Sequence, residues 1–238
     1  EPERQHEVIL AEEEAEKPRI AAIEIVGNER VAAEEIEAQI TSRVGEVYEP
    51  DEIEKDRVAI RDLGWFAHVQ TTTFDTEEGV RVVFRVVENE TIQDIEIEGV
   101  TVDKPNEQDL RAIMKTKPGE VANQRYLAQD ITAIEEAYAE EGYVLAQVGE
   151  REITEGGILR LTILEGRITE VRITGNEETK TYVIERELRS EPGDVYNAQV
   201  MRKDLSRIFN LGFFDDVRAH PEVGTEPDYQ AVLRAVKE

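Results

Sequence analysis

One pattern recurs three times along the chain, and that repetition fixes more about the fold than any single residue does. An alternating apolar stretch ending in glycine occurs as Ile20, Ile23, Ile25 and Gly27, as Ile92, Ile95, Ile97 and Gly99, and as Ile168, Val171, Ile173 and Gly175, with the glycines at closely similar intervals. A glycine-acid-valine landmark stands at Gly45-Glu46-Val47, Gly119-Glu120-Val121 and Gly193-Asp194-Val195, at equal intervals. A third landmark, glycine before an aromatic, reads Gly64-Trp65-Phe66, Gly142-Tyr143-Val144 and Gly212-Phe213-Phe214. Landmarks in one order at one period imply an array of like supersecondary units. The units run over 19–89, 90–166 and 167–238 of the 238 residues. Residues 1–18 stand outside the pattern and, with Glu12-Glu13-Glu14-Ala15-Glu16, read as a solvated, mobile acidic lead-in.

Within each unit the apolar period changes in the same sequence. Alternation at Ile23 and Ile25, Ile95 and Ile97, or Val171 and Ile173 is that of a half-buried strand, and the glycine after it supplies a turn. Ile36 and Ile40, Leu110, Ile113 and Met114, or Val183, Ile184 and Leu188 are spaced for a short amphipathic helix, which the glycine-acid-valine landmark is expected to close. A second helix buries Ile53, Ile60 and Leu63, then Leu127, Ile131, Ile134 and Tyr138, then Met201, Leu205, Ile208 and Leu211. Period two returns after the third glycine. Turn clusters at Asp75 to Gly79, Thr154 to Gly157 and Gly224 to Asp228 then lead into last strands at Val80 to Val87, Ile158 to Leu164 and Tyr229 to Val236. The expected fold class is α+β. Each unit is β-α-α-β-β, with a three-stranded mixed sheet whose apolar side chains are buried only if two helices cover one face. The joins at Glu88 to Thr91 and Glu165 to Arg167 leave almost no linker between neighbours.

Composition removes whole classes of function. With 54 Asp+Glu against 28 Lys+Arg the net charge is −26, which argues against nucleic acid as partner. The absence of cysteine excludes disulfides, thiolate metal sites and Cys nucleophiles. No apolar run is long enough for a membrane helix. His6, His68 and His220 share no helix face or ligand spacing, so no metal site is expected. Asp51-Glu52, Glu140-Glu141 and Asp215-Asp216 are what so acidic a composition produces without catalysis, and Gly156-Gly157 is a hairpin turn rather than a phosphate loop. No cofactor and no catalytic residue are expected. Trp65, Tyr143 and Phe213 recur at one repeat position and are expected in the cores. The third unit, with 11 Lys+Arg against 14 Asp+Glu, is the least repelled by an anionic surface.

A tandem unit of this size, opening I-x-x-[IV]-x-I-x-G and continuing through P-G-[DE]-V-[YF] to L-G-[FY]-F, resembles the POTRA (polypeptide-transport-associated) domain. Unit three carries the nearest form, in Val171-Arg172-Ile173-Thr174-Gly175-Asn176, Pro192-Gly193-Asp194-Val195-Tyr196 and Asn210-Leu211-Gly212-Phe213-Phe214. Unit one has Val44 in place of the proline, and unit two departs at Val100, Glu141 and Val144. The resemblance implies the periplasmic array of a BamA-type outer-membrane assembly or translocation factor. Three units are similar to the cyanobacterial and chloroplast-envelope branch, in which a C-terminal membrane barrel, absent from this sequence, follows the array. Implied partners are unfolded outer-membrane protein precursors, accessory assembly proteins and that barrel. A periplasmic scaffold, a two-partner-secretion or division-type POTRA protein, and an enzyme with a site between units are the competing readings.

The resemblance also places the strand after the glycine-aromatic pair at a sheet edge, where an extended peptide could pair with it. Unit three carries Pro221 and nearby acids there, and unit two carries Gly149, Glu150, Arg151 and Glu152. Unit one reads His68-Val69-Gln70-Thr71-Thr72-Thr73-Phe74, without proline, glycine, carboxylate, lysine or arginine, and is the expected client-strand edge. Val69 and Thr71 are expected to face inward, and Thr72→Pro to block pairing.

Overall fold

A computed structural model describes residues 17–223 and 229–236; nearly all of the acidic lead-in and the third turn cluster, Gly224 to Asp228, lie outside the described residues. The chain runs β1 (Ile20–Val26), α1 (Ala33–Glu37), α2 (Pro50–Asp62), β2 (Phe66–Thr76), β3 (Gly79–Glu88), β4 (Asp94–Glu98), α3 (Glu107–Ile113), α4 (Gln124–Glu140), β5 (Gln147–Ile153), β6 (Ile158–Leu164), β7 (Ile168–Thr174), α5 (Thr181–Glu185), α6 (Ala198–Phe209), β8 (Asp216–Val223) and β9 (Tyr229–Val236). Three mixed sheets have the orders β1-β3-β2, β4-β6-β5 and β7-β9-β8. In each, the last strand is central, parallel to the first and antiparallel to the second. The described residues up to Ile92 form one compact unit with Pro118–Ala128, and Gln93–Lys117 form another with the residues from Gln129.

Each second helix gives its inner face to a sheet. Pro50 opens α2 with the φ that a first turn needs, Asp51 and Glu52 follow at the positive end of the helix dipole, and Ile53 and Ile60 are buried on one stripe. The residue four before the third glycine is Ile60, Tyr138 or Ile208, and all three are 0% exposed. In the first unit Ile60 shares a core with Ile36, Ile53, Phe66, Val82 and Phe84. Truncating so enclosed an isoleucine to alanine costs about 2–5 kcal/mol. Gly27 shows why the first landmark ends in glycine. Its φ is +97°, and a Cβ there would lie 2.1 Å from the Val86 carbonyl oxygen.

Each second helix also buries a carboxylate at a period that apolar patterning does not reveal. Asp56, Asp130 and Asp204 keep the same equal spacing as the glycine-acid-valine landmark and are at most 1% exposed. The backbone amides of Thr41 and Ser42 donate to Asp56 (2.7 and 3.1 Å), as does the Thr41 hydroxyl (2.7 Å). Lys115 and Thr116 donate to Asp130 at 2.5 and 3.0 Å, and Arg189 and Ser190 to Asp204 at 3.1 and 3.0 Å. Each aspartate thereby ties its helix to the loop that leaves the first helix. Burial alone would raise the Asp56 pKa, but the donors on Ser42 and Thr41 outweigh it and hold the carboxyl below its ordinary value.

Three expectations need correction. The first helices end at Glu37, Ile113 and Glu185, several positions before Gly45, Gly119 and Gly193, so the glycine-acid-valine landmark does not close them. It pairs instead with the start of the first strand, through bridges Arg19 to Val47, Thr91 to Val121 and Arg167 to Val195. The aromatic position is marginal rather than central. Trp65 packs against its core from the side, Tyr143 lies edge-on to Tyr138, and Phe213 is 52% exposed, whereas Phe66 and Phe214 behind them are buried. The first turn is also tighter, since β2 continues to Thr76 and only Glu77 and Glu78 lie in the turn.

Asp56→Ala should lower the stability of the first unit by roughly 2–4 kcal/mol, because the loop amides are left without an acceptor. The native carboxyl titrates below its unfolded value of about 3.9. Its contribution is therefore complete above that pH and is lost as the pH falls through it towards the folded value. Chemical denaturation between pH 7 and pH 3 checks both points, and Asp56→Asn should lose this acid-dependent part.

Candidate functional site: a free strand edge

All seven residues expected at the client-strand edge, His68, Val69, Gln70, Thr71, Thr72, Thr73 and Phe74, lie on β2, and β2 has β3 as its one strand neighbour among the described residues. The main-chain groups that are free follow from the register. Val80 N–H donates to the Arg19 carbonyl on the β1 side, and Asn89 N–H donates to the Trp65 carbonyl on the β2 side. Alternation along β3 therefore turns its odd-numbered residues towards β2. Their partners His68, Gln70, Thr72 and Phe74, opposite Val87, Arg85, Val83 and Arg81, bond inward. Val69, Thr71 and Thr73 aim their amides and carbonyls out of the sheet. Arg57 comes to 3.5 Å from the Val69 carbonyl, at the long limit for a hydrogen bond.

Side chains alternate in the same register. Val69 is buried, and Thr71 is half-buried with a hydroxyl that has no hydrogen-bond partner among the described residues. His68, Gln70, Thr72 and Phe74 are exposed on the other face, where the Arg81 guanidinium lies 4.9 Å over the Phe74 ring. The strand keeps one register from His68 to Thr76, an irregularity falling only between Phe66 and His68.

The corresponding edges are interrupted. On β5 the register breaks between Val148 and Arg151, and the Glu135 carboxylate accepts the Val148 amide at 3.0 Å. On β8, Pro221 removes a donor, and His220 and Glu222 pair at 3.3 Å. The Glu135 guard is not legible in the sequence, because it joins a helix to a strand across the turn between them.

Each sheet also has a second edge that the sequence reading does not single out, formed by β1, β4 and β7. Its start is closed by the glycine-acid-valine landmark: Ile20 N–H donates to Glu46 O, Ile92 to Glu120 O and Ile168 to Asp194 O, each at 2.8 Å. Near the entry to β2 lies a cleft of about 620 Å³ with Trp65 and Tyr126 in its wall and Arg30, Glu35 and Glu120 at its rim. The two rings meet edge to face at 5.3 Å, and the Trp65 indole donates to Glu35 at 3.0 Å. Glu88 fixes the loop on one side by accepting the amides of Glu29, Arg30 and Val31 at 2.8, 2.9 and 2.8 Å. Burial would raise the Glu88 pKa, but these three amides bring it below the ordinary carboxylate range. The arrangement offers hydrogen-bonding main chain beside apolar and aromatic surface, which suits an extended peptide.

Comparison with known proteins places this architecture. A POTRA family model, described as a surface antigen variable number repeat, matches residues 18–89, 90–166 and 166–238. The chain is 31% identical over 239 residues to the outer membrane protein assembly factor BamA of Nitratidesulfovibrio vulgaris, across 92% of this chain and 30% of that protein. It is 28% identical over 196 residues to the chloroplastic outer envelope protein 80 of Oryza sativa, across 78% of this chain and 29% of that protein. The chain thus spans about a third of these relatives' length. Among solved structures, the N-terminal domain of Omp85 from Thermosynechococcus elongatus superposes with a TM-score of 0.78 at 27% identity, covering 92% of this chain and 97% of that one. POTRA1-3 of the periplasmic domain of Omp85 from Anabaena gives a TM-score of 0.70 at 29% identity, covering 93% and 97%. With the family model matching from residue 18 to 238, the chain belongs to the POTRA family as three consecutive repeats.

Proposed function

We propose that this chain is the periplasmic receiving array of an outer-membrane protein assembly or translocation factor. An extended segment of an unfolded barrel precursor, or of an accessory assembly protein, adds as a further strand to β2 of the first repeat. Relatives named as an outer membrane assembly factor and a chloroplast outer envelope protein support the general role, as does similarity to a structure described as periplasmic. The observation that carries the specific reading is the β2 edge, which is in register from His68 to Thr76 and carries no proline, bulge or carboxylate over 68–74. An incoming strand would bond to the main chain of Val69, Thr71 and Thr73. Main-chain pairing reads backbone rather than side chains, so one edge can take many precursors. The role is one of binding, with no chemical step assigned to any residue.

The register changes the choice of test. Thr72 bonds inward to the Val83 position, so Thr72→Pro would damage the sheet itself. Thr73→Pro removes an outward donor from an exposed edge position, where proline is tolerated. Titration of the parent with a synthetic strand of a barrel protein should give saturable binding. Thr73→Pro should weaken that binding about tenfold or more at an unchanged melting temperature. A folded Thr73→Pro variant that binds as the parent does would exclude strand addition at this edge.

A further inference from the structure

The repeats are joined by a device that is used twice and left open once. In the first compact unit, the Asn123 side-chain amide donates to the Leu63 carbonyl at 3.0 Å, and Gln124 N–H donates to the Gly64 carbonyl at 2.9 Å. In the second compact unit, Asn197 donates to the Glu141 carbonyl at 2.9 Å, and Ala198 N–H donates to the Gly142 carbonyl at 2.8 Å. Each asparagine at the same time caps its own helix. Asn123 accepts the amides of Arg125 and Tyr126, and Asn197 those of Gln199 and Val200. All three glycines at this position have a positive φ, and at the first two the contact also leaves no room for a side chain. A Cβ on Gly64 would lie 2.7 Å from Asn123 Oδ1, and one on Gly142 would lie 2.6 Å from Asn197 Oδ1.

Gly212 is the third copy of that glycine, and among the described residues nothing lies within 4 Å of its Cβ position. The turn is flanked by Phe209 and Phe213, which are 51% and 52% exposed, and among the described residues no donor reaches the Leu211 or Gly212 carbonyl. Two open carbonyls between two uncovered phenylalanines match the acceptor side of the other joints. The donor side has an odd member as well. At the position equivalent to Asn123 and Asn197 the first repeat has Glu49, which makes no cap hydrogen bond and pairs with Lys17 at 2.7 Å. The next residue is Pro50, which has no N–H. Both donors are missing from the first repeat, and a carboxylate would face the carbonyls.

We propose that the turn from Phe209 to Phe213 is a docking socket for an asparagine-capped helix N-terminus on another protein element, and that a second copy of this chain does not fit it. The occupant donates twice, from the Asn side-chain amide to the Leu211 carbonyl and from the following backbone N–H to the Gly212 carbonyl. It covers Phe213 as Tyr126 covers Trp65. This surface is separate from the β2 edge and does not depend on the peptide-binding role.

The test joins Glu238 directly to Pro18 of a second copy, which sets the next repeat at the spacing of the existing joins. One tandem protein carries the native second copy, and the other carries Glu49→Asn and Pro50→Ala in that copy, restoring both donors. Asparagine is the better cap, and alanine is accepted in the first turn, so the helix is kept. Hydrogen exchange is read at 209–213 of the first copy. The substituted tandem should protect the amides of this turn about tenfold over the native tandem. Gly212→Asn in the first copy should cancel that difference, since asparagine accepts a positive φ and its side chain fills the socket. Equal exchange in the two folded tandems, or protection that survives Gly212→Asn, would overturn the proposal.

Discussion

The pairing of the last strand of each repeat between the other two is the constraint from which the remaining features follow. Its parallel bond to the first strand requires a crossover, and the two helices of the repeat lie within it. Its antiparallel bond to the second strand is a hairpin, which puts that second strand outermost. Three strands with a central last strand have two edges, and the chain treats them differently. The glycine-acid-valine turn closes the start of the first edge in all three repeats by the same hydrogen bonds. The second edge is left to the local sequence: Glu135 with a bulge in one repeat, Pro221 in another, and nothing of either kind on β2 over 68–74.

Polar devices that repeat with the fold add to the apolar burial of the helices on the sheets. Asp56, Asp130 and Asp204 accept loop amides from inside the second helices, so each helix carries its own anchor to the loop before it. Buried carboxylates of this kind stabilise only while their donors are in place. Asn123 and Asn197 cap the N-termini of two of those helices, each also donating to the turn that ends the second helix of the preceding repeat. Polar groups thereby set repeat-to-repeat contacts that the apolar pattern leaves undefined.

The division between what can be read from sequence and what cannot is physical. Strand periodicity, the buried positions Ile60, Tyr138 and Ile208, and the membership of β2 all follow from alternation and spacing, which act over short distances along the chain. The roles of Asp56 and its counterparts stay hidden because an aspartate on a helix in an acidic chain looks like any solvated one. The glycine-acid-valine motif reads as a helix stop because its true partners, Ile20, Ile92 and Ile168, lie far upstream, beyond the reach of any local pattern. Thr72 looks like the natural point at which to block pairing. Only the Val80 and Asn89 bonds show that Thr73 faces out and Thr72 faces in.

Amide-resolved hydrogen exchange by NMR, with the chain saturated by a peptide copying one strand of a barrel protein, tests strand addition most directly. A strand added to β2 protects the amides of Val69, Thr71 and Thr73 and leaves those of His68, Gln70 and Thr72, already bonded to β3, nearly unchanged. Protection confined to β1, or bound peptide with no alternating change along β2, would contradict the account.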